Sequence, residues 1–176
     1  MKTHENGALF RPLRIAVLTV SDTRTEQNDT SGQALIESLT AAGHALAERQ
    51  IVPDDIYLIR RELSRWIADA DVQAIITTGG TGLTGRDGTP EAASALFDRT
   101  IEGFGELFRW LSYDEVGTST IASRAVAGIA NATFIFCLPG STNACRTGWS
   151  RLIGPQLDAR NRPCNLTELL PRLRER

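Results

Sequence analysis

The sequence predicts an α/β fold, with a single three-layer α/β/α domain and a mostly parallel central sheet. Runs of aliphatic and β-branched residues at 13–20, 74–78 and 133–138 are continuous rather than alternating. Such runs are typical of strands that are buried on both faces of a parallel sheet. Stretches with helical spacing separate them, and strands that alternate with helices favour a sheet covered by helices.

The whole chain has 176 residues, which fits one domain. We expect a flexible N-terminal leader over 1–12, the folded domain over 13–157 and a C-terminal tail over 158–176. The tail is rich in arginine, and we expect it to be solvated or to contact another subunit.

Two strand–helix units are expected in the first half. After the strand at 13–20, Asp29 or Ser31 caps a helix that ends at Gly43. A second strand follows over 45–52, and Pro53-Asp54-Asp55 opens a second helix. The apolar residues of that helix share one face: Ile56, Ile59, Leu63, Trp66 and Ile67.

The next helix is expected to begin with Thr89 as its N-cap and Pro90 in its first turn. Gly103 and Gly105 are expected to break it before it resumes over 106–111. The alanine-rich stretch 119–129 is ambiguous between helix and strand.

The strand at 133–138 leads into Pro139-Gly140-Ser141, and Asn143 is expected to cap a closing helix that runs to Leu157.

Charge and composition exclude several function classes. With 19 Lys+Arg against 21 Asp+Glu, the net charge is −2, which argues against a nucleic-acid partner. The apolar runs are too short to span a membrane, and the first residues lack the apolar core of a secretory signal, so we expect a cytoplasmic location. Because Lys2 is the only lysine, the composition argues against chemistry that depends on a Schiff base or a P-loop lysine.

Cysteine and histidine are scarce. Cys137, Cys145 and Cys164 show no C-x-x-C spacing, which argues against a zinc site or a disulfide framework and favours buried or inert thiols. His4 lies in the polar leader and His44 in a helix-to-strand turn, so a Ser-His-Asp triad is nearly excluded.

Three polar loops follow predicted strands, at 21–22, 78–90 and 139–143. In open α/β sheets ligands bind beyond the carboxyl ends of the strands, so we expect these loops to converge on one site.

The second of these loops contains a literal G-x-G-x-x-G at Gly80, Gly82 and Gly85. A dinucleotide motif needs its third glycine to open a helix at once, and here three residues intervene; a P-loop needs Lys-Ser/Thr where the chain has Arg86-Asp87. Repeated glycines do allow backbone N–H groups to approach an anion, and Thr78 and Thr81 add hydroxyl donors. A tight turn that only packs strand against helix remains the alternative.

Acidic residues recur in loops at the same end of the predicted sheet. Asp22, Asp29, Asp54 and Asp87 each have a structural explanation, as a helix cap, a turn residue or a solvated side chain. Together they suit Mg²⁺, which takes one or two carboxylates and leaves its other positions to water and phosphate. Arg86 and Arg124 are candidates for bidentate contact with phosphate or carboxylate.

The order of these motifs resembles the molybdopterin-binding family, which includes molybdopterin adenylyltransferases and the G domain of gephyrin. The resemblance runs from about Leu13 to Gln156, and the segments 111–126 and 139–162 are similar to one subfamily. It rests on eight ordered segments: Ser21-Asp22, 29–32, 52–54, 78–82, 86–92, 103–105, 123–126 and 139–141.

The resemblance implies a homotrimer or homohexamer that takes molybdopterin as substrate, ATP as co-substrate and Mg²⁺ as cofactor, and that serves a downstream molybdenum-insertion protein. The implied activity is adenylyl transfer to the terminal phosphate of molybdopterin. Asp54 and Asp87 match the two functional acids of the family, implying catalysis and magnesium binding. The residues implied to bind substrate and nucleotide are Ser21, Asp22, Thr78, Gly79, Gly80, Thr81, Gly82, Ser123, Arg124, Pro139, Gly140 and Ser141.

Gly85 and Gly88 stand where active relatives commonly have proline and valine, which implies a more flexible loop. Some members similar to this subfamily lack evident transferase activity, so a non-catalytic molybdopterin-binding or carrier protein is the alternative. A nicotinamide-dependent oxidoreductase, based on the glycine motif, is the weakest hypothesis.

Overall fold

The computed structural model describes residues 9–175, so Lys2 and His4 lie outside the described residues. Within that range six strands form one sheet in the order β2-β1-β3-β6-β5-β4. The strands are β1 Arg14–Val20, β2 Ala45–Val52, β3 Ala74–Thr78, β4 Arg99–Thr100, β5 Val126–Ala130 and β6 Thr133–Leu138. β1, β2, β3 and β6 are mutually parallel, whereas β5 is antiparallel to both of its neighbours.

Helices cover both faces of the sheet. They are α1 Thr30–Ala41, α2 Ile56–Ala68, α3 Thr89–Ser94, α4 Glu102–Val116, α5 Thr142–Gly148 and α6 Gly154–Leu157. The α1, α4 and α5 side packs Leu35, Phe108 and Cys145 into one core, and the α2 and α3 side packs Trp66 and Ala92 into another. The predicted three-layer α/β/α fold is therefore confirmed.

The first half of the chain follows the sequence prediction, and the structure decides which acids cap the helices. Asp29 caps α1, since its Oδ1 accepts a hydrogen bond from the Gly32 N–H at 2.9 Å. Asp55 caps α2 by accepting from the N–H groups of Tyr57 and Leu58, both at 2.9 Å. The carboxylate of Asp54 is therefore not needed as a cap.

Predictions for the middle of the chain were wrong in two places. Gly88, not Thr89, is the N-cap of α3; Thr89 is the first helical residue, and its hydroxyl donates to the Gly79 carbonyl at 2.9 Å. That helix ends at Ser94 and leads into β4 instead of continuing to Gly103.

The predicted break at Gly103 and Gly105 was also wrong, because α4 runs through both. A Cβ at position 105 would lie 2.6 Å from the Ala125 carbonyl oxygen, so this glycine allows α4 to lie close to the segment that leads into β5. Here glycine serves helix–sheet packing, and that packing outweighs its poor helix propensity.

The last elements also differ from the prediction in detail. Ser141, not Asn143, caps α5 by accepting from the Ala144 N–H at 3.1 Å. The ambiguous stretch resolves into a 3₁₀ helix, Gly117–Ala122, followed by β5. A π-helical turn, Trp149–Ile153, joins α5 to α6. Because β5 is antiparallel, Ser123 and Arg124, which precede it, lie at the edge where the parallel strands end.

The segment after 157, which the sequence analysis treated as a solvated or subunit-contacting tail, packs back onto the domain. It contains a 3₁₀ helix, Leu166–Arg172, and Leu166, Leu170 and Leu173 pack against the α1/α4/α5 core.

The histidine and the cysteines within residues 9–175 differ in burial and in their contacts. His44 is buried, with its Nδ1 accepting from the Leu13 N–H at 3.1 Å. Cys137 and Cys145 are buried and Cys164 is exposed. Every helix within residues 9–175 falls short of the length and apolar character needed to cross a membrane.

Candidate functional site

The three polar loops converge on one pocket of about 530 Å³ at the carboxyl ends of the parallel strands. The predicted site residues that line it are Ser21, Thr78, Gly79, Gly80, Thr81, Gly82, Asp87, Ser123, Pro139, Gly140 and Ser141. Asp22, Asp54 and Arg124 were predicted with them but do not line the cavity; they contact the loops that form it.

The glycine loop and the Pro139–Ser141 loop are held to each other. The Gly79 N–H donates to the Leu138 carbonyl at 3.0 Å, and the Thr78 hydroxyl donates to the Pro139 carbonyl at 3.0 Å. The sequence analysis expected that hydroxyl to serve as a ligand donor, but its proton is used between the loops. The backbone N–H groups of the glycine loop, apart from that of Gly79, are therefore the better candidates for phosphate contact.

Gly80 brings the glycine loop close to the carboxylate of Asp54. Its φ is +65°, and a Cβ there would lie 2.3 Å from the Thr89 hydroxyl and 2.8 Å from Asp54 Oδ1. Only glycine fits this position without displacement, and it brings the loop backbone directly against the Asp54 carboxylate.

Asp54 carries an oxygen without a partner. Its Oδ1 is buried, with no hydrogen-bond partner among the described residues. Burial raises the pKa of Asp54, and the charges of Asp22 and Asp87 raise it further, while Arg86 partly opposes them. A buried acceptor left in this state destabilises the fold, so its environment favours an added cation.

Asp87 lies in the same group of loops as Asp54, but its pKa is shifted in the opposite direction. The hydroxyl of Thr84 donates to its carboxylate at 2.6 Å and the Thr84 N–H donates at 2.8 Å. The Thr84 hydroxyl is the main cause that lowers the pKa of Asp87, against an opposing effect of burial. Asp87 is therefore ionised at neutral pH and faces the pocket.

The two arginine candidates have partners within the protein. Arg86 forms an ion pair with Asp22. Arg124 donates to the carbonyls of Gly82 and Asp87, both at 2.7 Å, and pairs with Glu91. Its guanidinium therefore braces the glycine loop, and direct contact with a ligand stays a prediction.

Two carboxylates of the site are candidates for holding magnesium, whose binding stays a prediction. Within residues 9–175 no group of three or more His, Cys, Asp or Glu side chains is arranged to hold a metal ion. Mg²⁺ needs only one or two carboxylates when substrate phosphates complete its coordination. Asp54, with its unpartnered oxygen, and ionised Asp87 meet that requirement.

Ser123, which directly precedes Arg124, adds a polar group to the pocket. It lines the pocket, and its Oγ is buried with no hydrogen-bond partner among the described residues. An unpaired buried hydroxyl beside a cavity is suited to a polar atom of a ligand, which supports the predicted binding role of Ser123.

Sequence reasoning missed a whole wall of the pocket. From α4 onwards it is formed by Phe108, Ser112, Glu115, Val116, Ser119, Thr120 and Ala122. Phe108, Ser112 and Glu115 have the i, i+4, i+7 spacing of one helix face, a signal that was available but was obscured by the predicted glycine break. Thr19, Val20, Arg24, Ser31 and Ala144 also line the pocket and were not predicted, whereas Asn143 lines it as part of the predicted 139–143 loop.

Comparison with known proteins gives one consistent answer. The chain is 59% identical over 156 residues to molybdenum cofactor biosynthesis protein B of Escherichia coli K12, covering 89% of this chain and 92% of that protein. A crystal structure of a molybdenum cofactor biosynthesis protein B superposes with a TM-score of 0.84 at 41% identity, covering 94% of this chain and 98% of that one. The tungsten cofactor synthesizing protein MoaB from Pyrococcus furiosus superposes with a TM-score of 0.78 at 36% identity, covering 94% and 99%.

The model of the family described as "probable molybdopterin binding domain" matches residues 16–159, a range that contains every loop of the pocket. The chain belongs to this molybdopterin-binding family.

Proposed function

We propose that this protein acts in molybdenum cofactor biosynthesis as a magnesium-dependent molybdopterin adenylyltransferase, which transfers the adenylyl group of ATP to the terminal phosphate of molybdopterin. The observation that carries the proposal is the buried, unpartnered Oδ1 of Asp54. This oxygen lies so close to the glycine loop that a Cβ added at Gly80 would be 2.8 Å from it. An acid kept in this state next to a phosphate-binding type of loop suits a site that is completed by a cation and phosphates.

The reaction needs alignment more than acid–base chemistry. A phosphate oxygen of molybdopterin attacks the α-phosphorus of ATP, and the bond from that phosphorus to the bridging oxygen breaks as pyrophosphate leaves. The attacking phosphate is already anionic at pH 7, so no protein base is required. His44, the histidine within residues 9–175, is buried against Leu13 at the opposite edge of the sheet.

The residues of the site have separate tasks in this proposal. N–H groups of the glycine loop hold phosphate, and Arg124 keeps that loop in place through the Gly82 and Asp87 carbonyls. Asp54 and Asp87 would hold magnesium, which when bound neutralises charge on the nucleotide phosphates. As the resemblance implies, the proposal includes a homotrimer or homohexamer and a downstream molybdenum-insertion protein that receives the product.

The test is pyrophosphate release from Mg-ATP by the full chain, with and without molybdopterin. We expect release only when both are present, and a loss of about 10²–10³-fold in Asp54→Asn, a range typical when one charge-stabilising group is removed from a site. Asp71→Asn, which removes a carboxylate in the α2–β3 turn at the other edge of the sheet, is the matched control and keeps full activity.

Full activity in Asp54→Asn would contradict the assigned role of this residue. Molybdopterin binding without any nucleotide turnover in the wild type would instead identify a carrier. Running the assay with GTP in place of ATP gives the nucleotide preference.

A further inference from the structure

The pocket has two chemically different ends. One is the glycine loop, whose positive-φ residues Gly79 and Gly80 present backbone to the cavity. The other is the last turn of α4 with the 3₁₀ helix after it, where Glu115, Ser119 and Thr120 line the cavity. The second end therefore carries an acid in a pocket whose expected ligand bears a phosphate.

Glu115 is held in a fixed orientation by α5. The Thr147 hydroxyl donates to its Oε1 at 2.6 Å, and the Asn143 side-chain amide donates to its Oε2. Each oxygen thus accepts one hydrogen bond from the protein. Because an ionised carboxylate offers about four acceptor positions in total, each oxygen keeps capacity for one more donor.

The position of Glu115 is unfavourable for the helix itself. It lies in the last turn of α4, which has no basic residue, and the partial negative charge at a helix C-terminus disfavours an acid there. A residue that violates a local rule without a compensating cation is expected where function requires it.

A pterin ring supplies the missing donors. Its pyrimidinone ring presents an N3–H and a 2-amino group side by side, a pair of parallel donors that matches two carboxylate oxygens. The phosphate of the same ligand would be repelled by Glu115 and attracted to the glycine-loop end, so the two ends of the pocket fix one orientation of the ligand.

We propose that Glu115 recognises the amino-pyrimidinone edge of the pterin through both carboxylate oxygens, and so determines specificity at the α4 end of the site. This inference rests on the proposed function, because it takes a phosphate-bearing pterin as the ligand.

Fluorescence titration of the full chain tests it, with a pterin that carries a phosphate side chain at C6 and with the matching lumazine, in which an oxo group replaces the 2-amino group. The wild type should prefer the pterin by about tenfold or more, the range of one bidentate pair. Glu115→Gln replaces one acceptor oxygen by a donor NH₂ and should lose both this preference and about tenfold in affinity for the pterin. Asp114→Asn, the same charge change one residue earlier and outside the pocket lining, should behave as wild type.

The outcomes separate this inference from the proposed function. If Glu115→Gln keeps the wild-type affinity and preference, or if the wild type binds pterin and lumazine equally well, Glu115 is not the recognition group, whereas molybdopterin binding stands. If the wild type binds neither compound, recognition of the pterin edge by Glu115 is overturned, whereas the transferase activity is decided separately by pyrophosphate release with molybdopterin. Thermal melting of Glu115→Gln beside Asp114→Asn verifies that both variants are folded.

Discussion

Two aspartates at the same edge of the sheet show how differently one residue type can be used. Asp29, in the loop after β1, is buried and accepts hydrogen bonds from Thr19, Gly32, Ser31 and Arg49. Asp54, in the loop after β2, has a buried oxygen with no partner among the described residues.

The pKa shifts of the two carboxyls follow from these surroundings. Burial alone would raise the pKa of Asp29, but the hydrogen bonds from Thr19, Arg49 and Gly32 outweigh it and lower that pKa. Burial raises the pKa of Asp54, and nothing comparable offsets it. The acid that has hydrogen-bond partners stabilises the fold. The charged form of Asp54 is disfavoured by burial and by the charges of Asp22 and Asp87, with only partial compensation from Arg86.

Removing the satisfied acid should have the largest effect on stability. Asp29→Ala deletes the cap of α1 and leaves the guanidinium of Arg49, whose side chain is only 18% exposed, without its carboxylate at 2.9 Å. Breaking such a pair typically costs about 3–5 kcal/mol in the free energy of unfolding. Urea denaturation measures it, with the exposed Glu37→Ala on the same helix as control. A loss below about 1 kcal/mol would mean that the ion pair contributes little.

Removing the carboxylate of Asp54, whose Oδ1 has no partner, should instead raise the free energy of unfolding. Asp54→Asn removes the charge of a carboxylate whose Oδ1 is buried and unpartnered, so we expect a gain of about 1 kcal/mol in the free energy of unfolding. The measurement is the same denaturation series, in EDTA to exclude bound metal. Gained stability together with lost transferase activity is the pattern of a functional residue, and a destabilised Asp54→Asn would assign this carboxylate to the fold instead.

The smallest expected effect is a difference between Asp29 and Asp54 in how each makes the stability of the fold depend on pH. The pKa of Asp29 is lowered, so the stability it contributes is complete above its unfolded pKa of about 3.8 and is lost as the pH falls below that value. The pKa of Asp54 is raised, so its destabilisation is absent below 3.8 and develops as the pH rises above that value through the folded pKa. Subtracting the profiles of Asp29→Asn and Asp54→Asn from that of the wild type should place the two transitions on opposite sides of pH 3.8. Coincident transitions would show that the two carboxyls share one environment.

The fold was predictable because its main signal is local. Continuous apolar runs such as 74–78 and 133–138 become the central strands β3 and β6, and the loops after them meet as parallel topology requires. The site was predictable as far as it is made of loops that follow such strands.

The remaining features depend on contacts between distant segments. Gly105 resembles a helix breaker until the Ala125 carbonyl is known to lie against it. Asp54 and Asp55 are equally good helix caps by sequence, and only the turn geometry assigns that role to Asp55. Glu115 resembles a solvated acid until α5 is placed beside α4, with Asn143 and Thr147 facing it.

Because β5 is antiparallel to β6, the chain that precedes β5 lies at the carboxyl ends of the parallel strands. This position has a consequence for how the pocket can change between relatives. One part of the pocket lining comes from one continuous stretch, 108–123, whereas the rest comes from several separate segments. Under the two proposals above, recognition of the ring and binding of phosphate belong to different segments of the chain. Exchange of that single stretch between relatives would transfer a preference for a new ring system while leaving Asp54, Asp87 and the glycines unchanged.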